Sequence, residues 1–360
     1  MGASLNTFSD FFNNATGPAY LTGPGQIIND AQLRNYEAFD LLSRVKKDVK
    51  GGNQIKDVIT FSDPGTASTY KPGDQATIAS VPGLDTIGVN WRFTRVYATW
   101  NEKEIMLNEG AGGDMFQQYK RLKDFKWQQA YTSLLNELER QFFATANNAD
   151  MESAGGEKPY SVPSTVTSDG LAPSGFTTVQ GVNPTTQSKW RNQTASYTAG
   201  SWLDPDVGII GGFDTMSQLV RFKSPSISMD GASWTSSDLN KCVVLTNREG
   251  RSKYMKALRA SNDFTRAGTQ DPAYSSPVFD GVKVVASEII DTNAIFAAGS
   301  PGYYFLNSNF IKLVCHSSKW MDKGEPMTFP DKPDTAVCWI DCWGNVFNQS
   351  RQRHGLLTAA

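Results

Sequence analysis

Apolar positions along this chain change period several times, and each change marks a boundary between elements. Leu33, Tyr36, Leu42 and Val45 form a helical stripe. Asn29 and Gln32 stand at capping-box spacing ahead of it, Lys46, Lys47 and Lys50 suit the negative end of the helix, and Gly51-Gly52 stops it. A helix is therefore predicted over 29–50. Residues 1–28, broken by Gly17-Pro18 and Gly23-Pro24-Gly25, read as an extended arm with no core of its own. Beyond Gly52 the period shortens to two. A short strand is predicted over 57–61, and 64–82 is turn-rich with a loop tip at Tyr70-Lys71-Pro72-Gly73-Asp74. Residues 87–100 give the strongest strand signal. There Trp91, Phe93 and Tyr97 alternate with Arg92, Thr94 and Val96, which predicts a strand covered on both faces.

Gly112-Gly113 ends this β region, and Asp114 with Gln117 is placed to cap an uninterrupted helix over 114–146. Trp127, Tyr131, Leu134, Leu138 and Phe142 follow at spacings of three and four. At 1.5 Å per residue that helix spans roughly 50 Å, long for an ordinary domain. Residues 147–200 are polar and irregular, with loops at Gly155-Gly156 and Pro173-Ser174-Gly175. A mixed α/β pattern then runs from Asp204. It has a helix over 214–222, a strand over 241–246, and a helix bearing Tyr254, Met255 and Leu258 with Thr246 and Glu249 as its cap. A hairpin over 278–285 turns at Asp280-Gly281, and strands are expected within 302–314 and 334–347. There is no internal repeat.

Composition changes this picture little. With 39% hydrophobic and 19% charged residues, 31 Gly and 17 Pro in 360 residues, the chain reads as folded and loop-rich. A net charge of −2 supplies no overall basic field for nucleic acid. No run of about 18 apolar residues predicts a transmembrane helix. The first residues lack the charged and apolar regions of a signal peptide, and Asn6 stands where a myristoylation motif wants Ser or Thr. Cys242, Cys315, Cys338 and Cys342 form no Cys-x-x-Cys pair and read as reduced.

The candidate chemistry is sparse. His316 and His354 are the two histidines. Cys315 adjoins His316, but neighbours in a strand point to opposite faces, which disfavours a catalytic pair. Cys338 and Cys342 with either histidine fall within loose zinc spacing, yet the segment reads better as a strand with both cysteines on the face of Ile340. The acid pairs Glu102/Glu104 and Asp204/Asp206 are of a kind any acid-rich chain offers. Neither a phosphate-binding loop nor a nucleophile elbow occurs. The sequence therefore predicts no catalytic, cofactor or metal residue and no enzyme. An extended β arm feeding a long helix suits a subunit that reaches over its neighbours.

The order of these elements resembles that of tailed-phage major capsid proteins with the HK-ninety-seven-type fold. Several phrases also look like that family. They are Asn90-Trp91-Arg92, residues 101–108, Pro184 to Asn192 with Trp190-Arg191, Tyr303-Tyr304-Phe305-Leu306-Asn307 followed by Trp320, and Arg353-His354-Gly355. The resemblance implies an α+β fold with an N-terminal arm (1–28), an N-terminal helix (29–50) and an extended β-loop (51–112). It further implies a peripheral domain (113–204) with a spine helix (114–146), an axial domain (205–330), and a C-terminal return to the peripheral domain (331–360). It implies self-assembly into hexamers and pentamers of an icosahedral virion shell around packaged dsDNA, bound without sequence specificity. The chain would be made in the host cytoplasm and would have no membrane partner and no cofactor. A portal protein and a separate scaffolding protein would be its other partners, because the arm is too short and too broken for a scaffold rod. Tyr70, Lys71, Trp91, Arg92, Trp127, Tyr131, Trp190 and Arg191 are the expected assembly-interface residues. The alternatives are a β-rich carbohydrate-binding or glycosidase-like protein and a tail tube subunit.

Overall fold

The computed structural model describes residues 36–61, 84–101, 115–220, 226–228, 231–233, 242–260, 277–329 and 332–360. The arm expected over 1–28, the caps expected at Asn29 and Asp114, and the loop tip with Tyr70 and Lys71 lie outside them. Helix α1 is Glu37–Arg44, shorter than the stripe predicts. Lys47–Val49 is instead a strand, β1, pairing in parallel with Val314, Cys315 and His316. Pairing across the fold has overridden a helical preference worth only tenths of a kcal/mol per residue.

β2 (Gln54–Thr60) and β3 (Leu84–Asn90) form an antiparallel ribbon whose register runs from Gln54↔Asn90 to Thr60↔Leu84. The single strand expected over 87–100 is in fact two, with β4 (Arg92–Asn101) beginning after Trp91. The expectation that both its faces are covered is overturned. Arg92, Ala98 and Trp100 are buried, whereas Phe93 and Tyr97 are 59% and 60% exposed.

The long helix, α2, is Met115–Phe142, 28 residues and about 42 Å. It ends before Ala146 because the extended Asn147 caps the next helical turn, Asn148–Met151, its side chain accepting from the Ala149 N–H at 3.1 Å. Leu134, Leu138 and Phe142 are buried as the stripe predicts. The irregular stretch that follows is densely packed despite its polar composition: Ser161, Ser164, Thr165, Gln180 and Trp190 are all fully buried. Satisfied side-chain hydrogen bonds permit this. Ser161 and Ser164 form a reciprocal capping box at Val162–Thr165.

The rest of the chain builds a six-stranded sheet in the order β5-β15-β11-β8-β10-β9. Its strands are β5 (Gln193–Tyr197), β8 (Cys242–Thr246), β9 (Val278–Phe279), β10 (Val282–Ala286), β11 (Tyr303–Asn307) and β15 (Gly355–Ala359). β8 and β11 are buried at every position, as near-continuous apolar runs require. The β9–β10 turn is the predicted one, Asp280 and Gly281 both taking positive φ (46° and 80°). Helix α3 (Ile209–Val220), longer than the predicted 214–222, packs on β5 and β15. Two glycines allow this approach. A Cβ on Gly212 would meet Leu357 Cδ1 at 2.8 Å, and one on Gly355 would meet Val220 Cγ2 at 2.7 Å. Helix α4 (Arg248–Ala260) packs on β8 and β10. Its cap is Asn247, whose Oδ1 accepts from Gly250 N–H at 2.7 Å, rather than Thr246, whose hydroxyl donates to the Gly302 carbonyl. At the centre of this core Phe213 stacks on Tyr254 at 4.7 Å and meets Phe279, Tyr303 and Phe305 edge-on.

A five-stranded sheet runs β1-β12-β14-β13, with β4 also paired to β14. Here β12 is Ile311–Lys323, β13 is Met327–Phe329 and β14 is Lys332–Asn348. Ser226–Ser228 (β6) and Gly231–Ser233 (β7) form a separate short ribbon. The described residues fall into two compact units. One holds 94–101, 115–138, 318–329 and 332–342; the other holds 36–61, 84–93, 139–220, 226–228, 231–233, 242–260, 277–317 and 343–360. The six-stranded sheet draws β5 from before residue 204 and its other strands from after it.

Candidate functional site

The residues singled out by sequence divide sharply by burial. Arg92 is 3% exposed. Its guanidinium donates to the carbonyls of Lys158 (3.1 Å), Met151 (2.7 Å) and Ser153 (2.6 Å), and burial lowers its pKa. Trp190 is wholly buried, its Nε1 donating to the Val179 carbonyl at 3.0 Å. Both hold the chain's own irregular segment in place and are corrected from interface residues to internal ones. Arg191 is half-buried, donating to the carbonyls of Pro184 (2.8 Å) and Thr185 (3.2 Å).

Trp91, Trp127 and Tyr131 stay at the surface, in two clusters, one in each unit. Trp91 is half-buried, fixed by an Nε1 hydrogen bond to the Gly52 carbonyl at 2.8 Å. Its ring meets His316 edge-on at 5.9 Å, His316 meets Trp343 at 5.6 Å, and Trp343 meets the exposed Phe93 at 4.8 Å. In the other unit Arg95 makes a forked ion pair with Asp341, at 2.5 and 2.9 Å, and lies 5.3 Å over the Trp339 ring. The Asp341 carboxylate raises the Arg95 pKa through these bonds, so the fork stays charged. Lys323 sits 5.3 Å over Trp127, and Tyr97, Tyr131 and Met327 are 60%, 41% and 58% exposed.

Large aromatic side chains left at the surface yet held by hydrogen bonds, ring contacts and cations have the character of interface anchors. Phe93, Tyr97, Trp339, Trp343 and Met327 were not among the residues expected from the sequence. The signal for most of them was present in the period-two rows Phe93-Arg95-Tyr97 and Trp339-Asp341-Trp343.

Of the residues weighed for catalysis or metal binding, the four cysteines and His354 occupy core positions, Asp204 and Asp206 are exposed, and Glu102 and Glu104 lie outside the described residues. Cys242, Cys315, Cys338 and Cys342 are all buried and none is joined in a disulfide, and Cys338, Ile340 and Cys342 share the inward face of β14. Burial pushes the Cys342 thiol up to about 11, well away from a reactive thiolate. Cys315 is buried while its neighbour His316 is half-buried, so the two take opposite faces of β12. His354 is wholly buried, its Nδ1 accepting from the Asn307 N–H at 3.2 Å.

No protein-family model matches this chain, and no curated protein matches it. Solved structures do. The capsid asymmetric unit of cyanophage A-1(L) is 13% identical over 96% of this chain and 98% of its own, with a TM-score of 0.58. The capsid of the native GTA particle is 12% identical over 99% and 100%, with a TM-score of 0.52. The holo-SrpI encapsulin complex of Synechococcus elongatus PCC 7942 is 9% identical over 96% and 93%, with a TM-score of 0.50. At such identities the likeness is one of fold, and it runs the length of the chain: this protein has the α+β, HK-ninety-seven-type fold of phage capsid proteins.

Proposed function

We propose that this chain is the major capsid protein of a tailed phage, assembling with copies of itself into hexamers and pentamers of an icosahedral shell around dsDNA. The supporting observation is the extent of the capsid likeness, 96% of this chain and 98% of the cyanophage one, with no large insertion to house another activity. In this reading 1–28 is the N-terminal arm, 51–112 the extended loop, 113–204 the peripheral domain with its spine helix, 205–330 the axial domain and 331–360 the return. Tyr70 and Lys71 on the loop, with Trp91, Trp127, Tyr131 and Arg191, meet neighbouring copies, joined by Phe93 and Tyr97. Many modest contacts repeated over the shell supply its strength, and strand addition by arm and loop supplies register. A portal protein and a separate scaffolding protein complete the particle, which forms in the host cytoplasm.

Electron microscopy of the purified chain tests this. Closed shells or capsomer rings are expected; a monodisperse monomer, or helical tubes, overturns it. Shells purified from infected cells should carry nuclease-protected DNA. Shells of the same form without nucleic acid would favour an encapsulin-type container, the reading that the third structural likeness supports.

A further inference from the structure

The chain as a whole carries a net charge of −2, which argues against nucleic-acid binding only if charge is evenly spread. It is not. Helix α4 holds Arg248, Arg251, Lys253, Lys256 and Arg259 against the single acid Glu249, a local net of +4 (five minus one) within 13 residues. At 100° per residue its buried positions Gly250, Tyr254 and Ala257 fall on one side. Arg248, Arg251, Ser252, Lys256 and Arg259 fall on the other, all exposed. They form a stripe about 16 Å long, from eleven steps of 1.5 Å.

Among the described residues, neighbouring acids neutralise only its first turn. Arg248 pairs with Glu288 at 3.2 Å. Lys253, beside the stripe, pairs with Glu249 at 3.0 Å and donates to the Gly299 carbonyl at 2.6 Å. Arg251, Lys256 and Arg259 have no acidic partner among the described residues. Arg alone among its residues is favoured at protein interfaces; the stripe offers no aromatic or branched aliphatic side chain to anchor a protein partner, and Lys is depleted at interface cores. Arg, Lys and Ser without an apolar anchor are the groups that contact phosphates and sugars, positioning a duplex without reading its sequence. Duplex DNA presents a charge roughly every 1.7 Å along its axis, so a 16 Å row of cations, about that length, meets several phosphates at once.

We propose that the exposed face of α4, centred on Arg251, Lys256 and Arg259, is a docking surface for the phosphodiester backbone of double-stranded nucleic acid. This deepens the capsid reading and rests on it: the same chain would form the shell and touch its contents through this helix.

The test is titration of full-length protein with a fluorescent mixed-sequence duplex of about 30 base pairs at about 50 to about 200 mM salt. The variant is R251Q/K256Q/R259Q. The control, K47Q/K50Q/K189Q, removes the same charge from exposed positions elsewhere. Circular dichroism confirms the fold of each, and single-site R251Q and R259Q variants replace the triple if it melts early. Wild type should bind, with log affinity falling linearly in log salt. The α4 triple should flatten that slope by about 2 to 3, from roughly 0.9 per lost phosphate contact. The control should leave it nearly unchanged.

Three results overturn the proposal. They are no duplex binding by wild type at about 50 mM salt, an equal loss in variant and control, and displacement of the duplex by polyglutamate of matched charge at lower concentration. The last would make the partner an acidic protein. Shell formation is read separately by microscopy. A chain that forms no shells sinks the capsid reading while the titration still decides this one; normal shells with unaltered DNA affinity in the α4 triple sink this one alone.

Discussion

Arg351 shows how single side chains hold the irregular part of this fold. It is wholly buried, and it donates to the carbonyls of Thr165 (2.7 Å), Leu171 (2.9 Å) and Trp190 (3.1 Å) and to Asn192 Oδ1 at 3.0 Å. Burial brings its pKa down to about 10, so it remains charged at neutral pH. Arg351→Leu would strand the buried carbonyls of Thr165 and Trp190, whereas that of Leu171 keeps the Thr167 hydroxyl. At about 1–3 kcal/mol for each unmet group, a loss of at least ~2 kcal/mol is expected in urea melts. Arg351→Lys should rescue little, because a single ammonium lacks the fork that reaches several acceptors. The neighbouring His354 makes a different prediction. Burial, reinforced by the Arg351 charge, pushes its pKa down to about 3. An unfolded imidazole takes its proton near pH 6.5, as the folded one does not. The unfolded state therefore binds more protons between these values, and stability falls as pH drops from about 6.5 towards 3. Comparing His354→Gln with wild type across that window should show the variant's pH slope shallower by up to about 1.4 kcal/mol per pH unit. Equal slopes would mean that the folded protein protonates His354 readily. Phe213, ringed by four aromatic side chains, should cost about 3–5 kcal/mol when cut to Ala.

At the scale of elements, α2 and α4 fail in different ways. Leu134, 1% exposed in the middle of α2, cannot become Pro without losing a helical hydrogen bond and clashing with the preceding turn, at about 3 kcal/mol or more. Insoluble protein is the expected outcome, read by fractionation after expression. Gly250 lies where α4 leaves its cap; a Cβ there would press on Thr246 Oγ1 and approach Asn247 Oδ1 at 2.9 Å and Pro301 Cβ at 3.1 Å. Gly250→Ala should cost about 1–3 kcal/mol by overpacking and shorten α4 from its first turn, visible as a lower melting temperature. These elements also show what was readable beforehand. The 278–285 hairpin was legible because Asp280-Gly281 supplies the two positive φ angles that a two-residue loop demands. The β14 cysteines were legible because an alternating strand places Cys338, Ile340 and Cys342 on one side. The end of α1 was not, since β1 forms only by pairing with β12, some 265 residues away in sequence and invisible to local pattern. The interior place of Arg92 and Trp190 was equally hidden. Their partners are backbone carbonyls of a segment whose composition reads as solvent-exposed loop. Of the residues at the candidate surface, Trp91, Trp127 and Tyr131 were named from the sequence by residue type, whereas Phe93 and Tyr97 were not, because an apolar residue in a strand is read as core.

For the whole molecule, the ribbon of β2 and β3 offers a clean experiment on assembly. Thr60 pairs with Leu84, so the ends of the intervening segment already lie side by side. Replacing residues 62–82 with Asn-Gly should leave the ribbon closed and the subunit folded, while removing the loop assigned to neighbouring copies. Sedimentation should then show subunits and no shells; normal shells would mean that the loop has no role in assembly. The six-stranded sheet carries a consequence of another kind, concerning time rather than space. β15 lies in its interior, pairing with β5 on one side and β11 on the other, although its residues, Gly355–Ala359, follow those of the other five strands in sequence. While the ribosome still holds those residues, β5 has no strand to join and α3 faces a missing neighbour. The sheet therefore stays open during synthesis until β15 has emerged and can bridge β5 to β11.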